Sequence, residues 1–151
     1  MSKIALNNAY AFYINTTPSA TAGSETFARL SRGFDNVSKS LNEALYQGSF
    51  LGDSGYGSTE VTGGQLTLTL SGVRIVGDTA QDHIFSDAVM NCFGEARKTT
   101  FKIEDPDGNT ISGSCTLAKI TESGGASNQP SAISVEIHFN GKPTYTKAES
   151  V

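Results

Sequence analysis

The sequence predicts a mainly β fold with some α content (α+β): a β-sandwich or partly open barrel with one flanking α-helix, long loops and an N-terminal arm. Three observations carry this. Residues 65–71 and 133–139 alternate apolar and polar side chains with a period of two, the mark of a half-buried strand. Only residues 79–91 show an apolar stripe with helical spacing. Turn-forming residues recur between the strand signals, and 16 of the 151 residues are glycine, which suits short strands joined by many turns.

The elements follow in chain order. Residues 1–24 carry one charge, Lys3, and an aromatic cluster, Tyr10, Phe12 and Tyr13. Residues 15–24 read as irregular chain. Such a segment cannot bury a core alone; it is a disordered tail or an arm that orders on a neighbour, and the aromatic cluster favours the arm. Residues 25–151 then make one domain. Strand signals at 26–32 and 37–41 flank a turn at 33–36, and 44–51 is a weaker strand signal with poor alternation. Residues 48–64, with Gly52, Asp53 and Tyr56 near their centre, read as a loop long enough to carry contacts.

The central strand is expected over 65–76. Leu66, Leu68 and Leu70 share a face; after Gly72 the apolar phase moves to Val73 and Ile75, which a bulge at Ser71 and Gly72 would reconcile. The helix is expected over 79–91. Asp78 is its N-cap, and Asp82 stands near the positive end of its dipole. Ile84, Phe85, Ala88, Val89 and Cys92 form one stripe, with Phe85 buried on the sheet, and Gly94 follows the last turn. Next, Phe101 and Ile103 alternate with Lys102 and Glu104, residues 106–109 turn the chain, and 110–120 return with Ile111, Cys115 and Leu117 on one face. A loop spans 123–131. In the last clear strand Ile133, Val135, Ile137 and Phe139 oppose Ser134, Glu136 and His138, and Asn140 and Gly141 turn it toward 144–146. The tally is about seven strands and one helix, with no internal repeat.

Composition narrows the function. No run of about 18 apolar residues could cross a membrane as a helix, and Lys3 is not followed by an apolar stretch of signal-peptide length, so no export is expected. Cys92 and Cys115 lack metal-ligand spacing and read as free buried thiols. The net charge is -4, which argues against a surface made to grip nucleic acid. From Glu43 to Glu95 there are seven acids and one base, Arg74.

No chemical constellation is complete. A calcium loop counted from Asp105 would need glycine and glutamate where Thr110 and Thr116 stand, so a hairpin turn is favoured. His83 and His138 are the only histidines and form no zinc set with the two cysteines; both read as surface residues. There is no nucleophile elbow, and the glycines from Gly52 to Gly57 lack the lysine of a phosphate-binding loop. No enzyme activity, cofactor or metal is expected. Arg74 reads equally as an exposed base or as a partner in a salt bridge or subunit contact.

One stretch resembles a known family. Ser71-Gly72-Val73-Arg74, Gly77-Asp78, Ala80-Gln81-Asp82 and Ile84-Phe85 look like the central motif of major tail tube proteins from long, non-contractile bacteriophage tails. The polar strand 36–42, the tyrosine-glycine loop 46–64, the basic-aromatic strand 98–102 and the ending 137–143 are similar in order, so the likeness covers roughly 25–146. It implies a structural virion protein that assembles in the host cytoplasm and belongs to the virion tail. Its subunits would close into stacked hexameric rings forming a tube that delivers DNA, beside a tape measure, tail tip and terminator. An acidic balance would then help phosphates pass without being held. Under that reading Tyr10, Phe12, Tyr13, Gly52, Asp53 and Tyr56 are expected at assembly interfaces. Glu104 and Glu136, on polar strand faces, are expected to line the channel, and Asp78, Ile84, Phe85 and Val89 to build a structural helix. The alternatives are a ring-forming tube subunit of a contractile injection or secretion machine, and a monomeric β-sandwich that binds carbohydrate. The absence of tryptophan counts against the last.

Overall fold

A computed structural model describes residues 3–18 and 25–148. The strands are β1 (Ala11–Asn15), β2 (Phe27–Arg29), β3 (Phe34–Ser40), β4 (Ala44–Gly48), β5 (Ser58–Gly63), β6 (Thr67–Val73), β7 (Lys98–Glu104), β8 (Thr110–Ser123), β9 (Ala132–Phe139) and β10 (Thr144–Thr146). Two short helices, α1 (Thr79–Ile84) and α2 (Asp87–Met90), lie between β6 and β7. The mainly β expectation holds, with more and shorter strands than alternation alone reveals. One antiparallel sheet runs β2-β1-β7-β8-β9-β6-β3, with β10 added on β8; β4 and β5 pair only with each other.

The core lies on one face of that sheet. Its cross-strand rows are Leu70 beside Val135, Leu68 beside Ile137 beside Leu117, Cys115 beside Phe139, and Ile14 beside Phe101. All of these are buried, and Phe101 meets Phe139 edge-on at 6.1 Å. Each such aliphatic or aromatic side chain contributes about 1.5–3 kcal/mol by leaving water. No second large sheet covers this face among the described residues. The sheet instead curls, so that its two ends face each other across a cleft of about 400 Å³ lined by Tyr10, Phe12, Leu30, Phe34, Val37 and Leu70. β2 and β3 do not pair, so the barrel stays partly open.

Several expectations change. Within the segment expected as an N-terminal arm, residues 11–15 form β1, an interior strand hydrogen-bonded to β2 on one side and β7 on the other. Its Ile14 is fully buried, although Asn15-Thr16-Thr17 follow it directly and no long apolar alternation announces a strand there. Residues 19–24 lie outside the described residues. The turn expected at 33–36 is narrower, because β3 already starts at Phe34. The bulge expected in β6 sits in its partner: β3 pairs Phe34 with Gly72 and Asn36 with Ser71, leaving Asp35 as the extra residue. Gly72 serves close approach, since a Cβ there would run into the Gly33 carbonyl, which accepts from the Val73 amide at 2.7 Å. The weak strand signal at 44–51 is β4, and the loop expected over 48–64 is the tip that follows it plus the returning strand β5; this hairpin is exposed along nearly its whole length. Its alternation is poor because neither face meets a core.

The single helix over 79–91 is two helices. Asp78 caps α1 as expected, accepting from the Gln81 amide at 3.2 Å. Ser86 then adopts an extended conformation, and its hydroxyl donates to the His83 carbonyl at 2.8 Å. Ile84 and Val89 both reach the core, but the break rotates the rest of the stripe away. Phe85 is half-buried, and Ala88 and Cys92 are exposed. Arg97 stops α2: its guanidinium donates to the carbonyls of Val89 (2.6 Å), Met90 (2.9 Å), Cys92 (3.0 Å) and Leu117 (3.3 Å). A cation at a helix C-terminus satisfies both orphan carbonyls and the dipole. Gly94, at φ 71°, starts a 3-10 turn and does not cap the helix.

Candidate assembly interface

The face of the sheet opposite the core is polar and rich in hydroxyls. Two rows cross it: Ser38, Thr69, Glu136 and Ala118, then Ser40, Thr67, His138, Thr116 and Lys98. Strand alternation dictates this, because each apolar residue sent into the core sends its neighbours to the other side. Glu136 lies here, as its polar position predicts, but it is not a bare charge. Its Oε1 is 2.9 Å from His138 Nε2 and its Oε2 is 3.7 Å from Lys119 Nζ. Lys119 sits at a β8 irregularity with φ 50°, where the ladder with β9 skips. Glu104 occupies the end of β7 on the same polar face, opposite Ala11 and Thr110.

At the other end of this face Arg29, Tyr13 and Lys102 stand side by side on β2, β1 and β7. The Lys102 ammonium lies 5.2 Å from the Tyr13 ring centre and 5.6 Å from that of Phe27. The expected aromatic cluster is therefore split. Tyr13 belongs to the polar face, whereas Tyr10 and Phe12 line the cleft and pack against the core.

Gly52, Asp53 and Tyr56 do lie together, at the tip joining β4 to β5. Asp53 closes the tip: its carboxylate accepts from the Phe50 amide at 2.8 Å. Around it the hairpin presents Leu45, Tyr46, Phe50, Leu51, Tyr56 and Val61 to solvent, each more than half exposed. Apolar residues concentrated on one projecting element are the signature of a contact surface. Ahead of β1, residues 3–9 are also exposed, tied down by the Lys3–Asp107 ion pair at 3.2 Å.

Arg74, undecided from sequence, is an internal partner. It donates to Asp82 at 3.0 Å and to the Ile75 carbonyl at 2.8 Å, with its guanidinium 5.3 Å from the Phe85 ring centre. Beside it lies a residue that sequence reasoning missed. Gln81 is fully buried and fully bonded: Nε2 donates to the carbonyls of Arg32 (3.1 Å) and Val73 (3.0 Å), and Oε1 accepts from the Ile75 amide (2.8 Å). Its signal was available, because position 81 falls three before Ile84 on the buried stripe.

Asp105 organises the β7–β8 turn, accepting from the amides of Asp107 (3.0 Å) and Asn109 (2.8 Å) and from the Asn109 side chain (2.9 Å). The Asn109 side-chain bond, with these backbone bonds, holds its carboxyl below the usual carboxylate range. His83 is half-buried, contrary to the surface reading, and burial lowers its basicity. Of the two thiols expected to be buried, Cys115 is, with its pKa pushed up to about 12, whereas Cys92 is exposed. No group of metal-ligating side chains gathers among the described residues.

No protein family profile matches this chain, and no curated protein sequence does. Solved structures do. A chain from the tail of an empty gene transfer agent particle, refined with helical C6 symmetry, superposes with a TM-score of 0.68 at 19% identity, covering 95% of this chain and 99% of that one. The SPP1 tail tube gives 0.61 at 14% identity, covering 97% of this chain and 81% of that one. A chain of the sheath–tube complex of the extracellular contractile injection system PVC, in its extended state, gives 0.55 at 12% identity, covering 98% and 95%. The fold of this chain is therefore the tail tube fold, and these neighbours are structural components of particles.

Proposed function

We propose that this chain is the repeating structural subunit of a tail tube in a virion or virion-like particle. Six copies close into a ring, rings stack, and DNA passes through the lumen without specific binding. A tape measure, a tail tip and a terminator protein are the expected tail partners, and no cofactor is needed. The observation that carries the reading is the fold likeness along nearly the whole chain to a tail built with C6 symmetry. The physical fit supports it. Ring closure protects sheet edges such as β2 and β3, which otherwise invite uncontrolled pairing. On β3 and β6 the polar face carries the hydroxyls of Ser38, Ser40, Thr67 and Thr69 with no cation between them, and so offers phosphates few of the contacts that release counterions and fix DNA.

In this reading Glu104 and Glu136 line the channel. Replacing both with lysine leaves assembly intact but makes tubes retain DNA at low salt, each new phosphate contact steepening the log-log salt slope by about 0.9. Negative-stain electron microscopy of the purified protein, with sedimentation velocity, tests the main reading. Rings or tubes of constant width are expected; a monomer at every concentration overturns it. The second reading, a tube inside a contractile injection machine, is favoured by the shared fold with the PVC chain. Mass spectrometry of native particles separates the two, because a contractile machine carries a sheath protein around its tube.

A further inference from the structure

The hairpin and the basic end of the polar face are complementary surfaces on the same molecule. From Ser40 to Val73 the chain contains three acids, Glu43, Asp53 and Glu60, and no base. Asp53 is occupied in closing the tip, whereas Glu43 and Glu60 have no ion pair among the described residues. Glu60 stands directly beside Tyr46 across the β4–β5 ladder, so a carboxylate and an aromatic ring project from the same hairpin face. On β1, β2 and β7 the balance is opposite, with Arg29, Lys98 and Lys102 against Glu104 alone. Lys98 is held by Glu95, but neither Arg29 nor Lys102 has a carboxylate partner among the described residues. These two cations flank Tyr13 in one row, with Phe27 beside them, each step across the strands being about 4.8 Å.

We propose that the β4–β5 hairpin of one copy docks on the basic-aromatic patch of another copy, Glu60 and Glu43 facing Arg29 and Lys102 while Tyr46 packs on Tyr13 and Phe27. The hairpin is exposed along both strands and its apolar residues have no cover among the described residues, so a second molecule is the surface they can bury against. Donor and acceptor surfaces differ, so the contact is heterologous: each copy gives a hairpin and receives one, and contacts propagate through an assembly without using up either surface. Unpaired opposite charges set register and orientation, and the aromatic residues contribute the buried area. This rests on the reading that copies of the chain assemble, and specifies which surfaces meet.

Charge reversal tests it. Glu43→Lys with Glu60→Lys reverses the hairpin; Arg29→Glu with Lys102→Glu reverses the patch. Each pair alone is expected to raise the critical concentration for assembly about tenfold or more, read by sedimentation and micrographs, because like charges then face each other. The fourfold variant, with both surfaces reversed, is expected to return toward wild type. Circular dichroism of each variant confirms folding; should the patch reversal not fold, Arg29→Gln with Lys102→Gln replaces it, with the same direction and a smaller effect. Single reversals that assemble like wild type, or a folded fourfold variant that stays as weak as either pair, overturn the docking while wild-type tubes keep the tube reading intact. Wild-type protein that remains monomeric overturns both.

Discussion

The Gln81 side chain bonds the backbone of Ile75 at 2.8 Å, its Oε1 accepting from the Ile75 amide as β6 gives way to α1. Gln81 Nε2 donates to the carbonyls of Val73 and Arg32, so one buried side chain joins the end of β6, the start of α1 and the chain leading into β3. Gly33 makes room for it, since a Cβ there would meet the Gln81 side chain, and at φ 88° the position favours glycine for its backbone as well.

Gln81→Leu keeps the volume but orphans the Ile75 amide and two carbonyls. At about 1–3 kcal/mol for a buried unsatisfied group, the expected loss is roughly 3 kcal/mol, measured by urea unfolding of the monomer. A loss below about 0.5 kcal/mol would mean that water or relaxed backbone replaces these bonds.

Phe85 and Phe101 should respond differently to truncation. Phe101 is fully buried between Phe12 and Phe139, so Phe101→Ala should cost about 3–5 kcal/mol. Phe85 is half-buried beneath Arg74, so Phe85→Ala should cost about 1–2 kcal/mol, from partial burial plus the cation–ring contact. Equal losses in thermal or urea unfolding would refute the difference.

Two truncations separate the leading segment from the sheet. Removing residues 1–9 takes away the exposed residues 3–9 with the Lys3–Asp107 pair, and should change stability by less than about 1 kcal/mol. Removing residues 1–15 deletes β1 and Ile14 and strips both β2 and β7 of a partner, so the domain should not fold. Far-UV circular dichroism of both variants decides this.

His83 should make stability pH-dependent below neutrality. Burial lowers its folded pKa from about 6.5, so the unfolded chain binds a proton first as the pH falls. Its neutral form is therefore no liability above about 6.5, and stability declines as the pH drops through 6.5 toward the folded value. Comparing urea midpoints of wild type and His83→Gln between about pH 5 and 8 isolates it from His138. A variant whose acid decline matches wild type would clear His83 of this role.

Strand alternation in residues 65–71 and 133–139 determined, without any tertiary information, which side chains enter the core: Leu66, Leu68, Leu70, Ile133, Val135, Ile137 and Phe139 are all buried. Asp78 as a cap and residues 106–109 as a turn were equally legible, because caps and turns are set by a few adjacent residues. What depended on distant neighbours was not. Ile14 is buried because β2 and β7 flank it, Phe85 is half-uncovered because Ser86 breaks the helix, and Arg97 finds four carbonyls from α2, the chain just after it and β8. The hairpin β4–β5 lacks the alternation of a strand because it has no core face, so local periodicity carries no signal there. The basic-aromatic row of Arg29, Tyr13 and Lys102 joins residues up to 89 positions apart, and only strand pairing in the folded sheet lines them up.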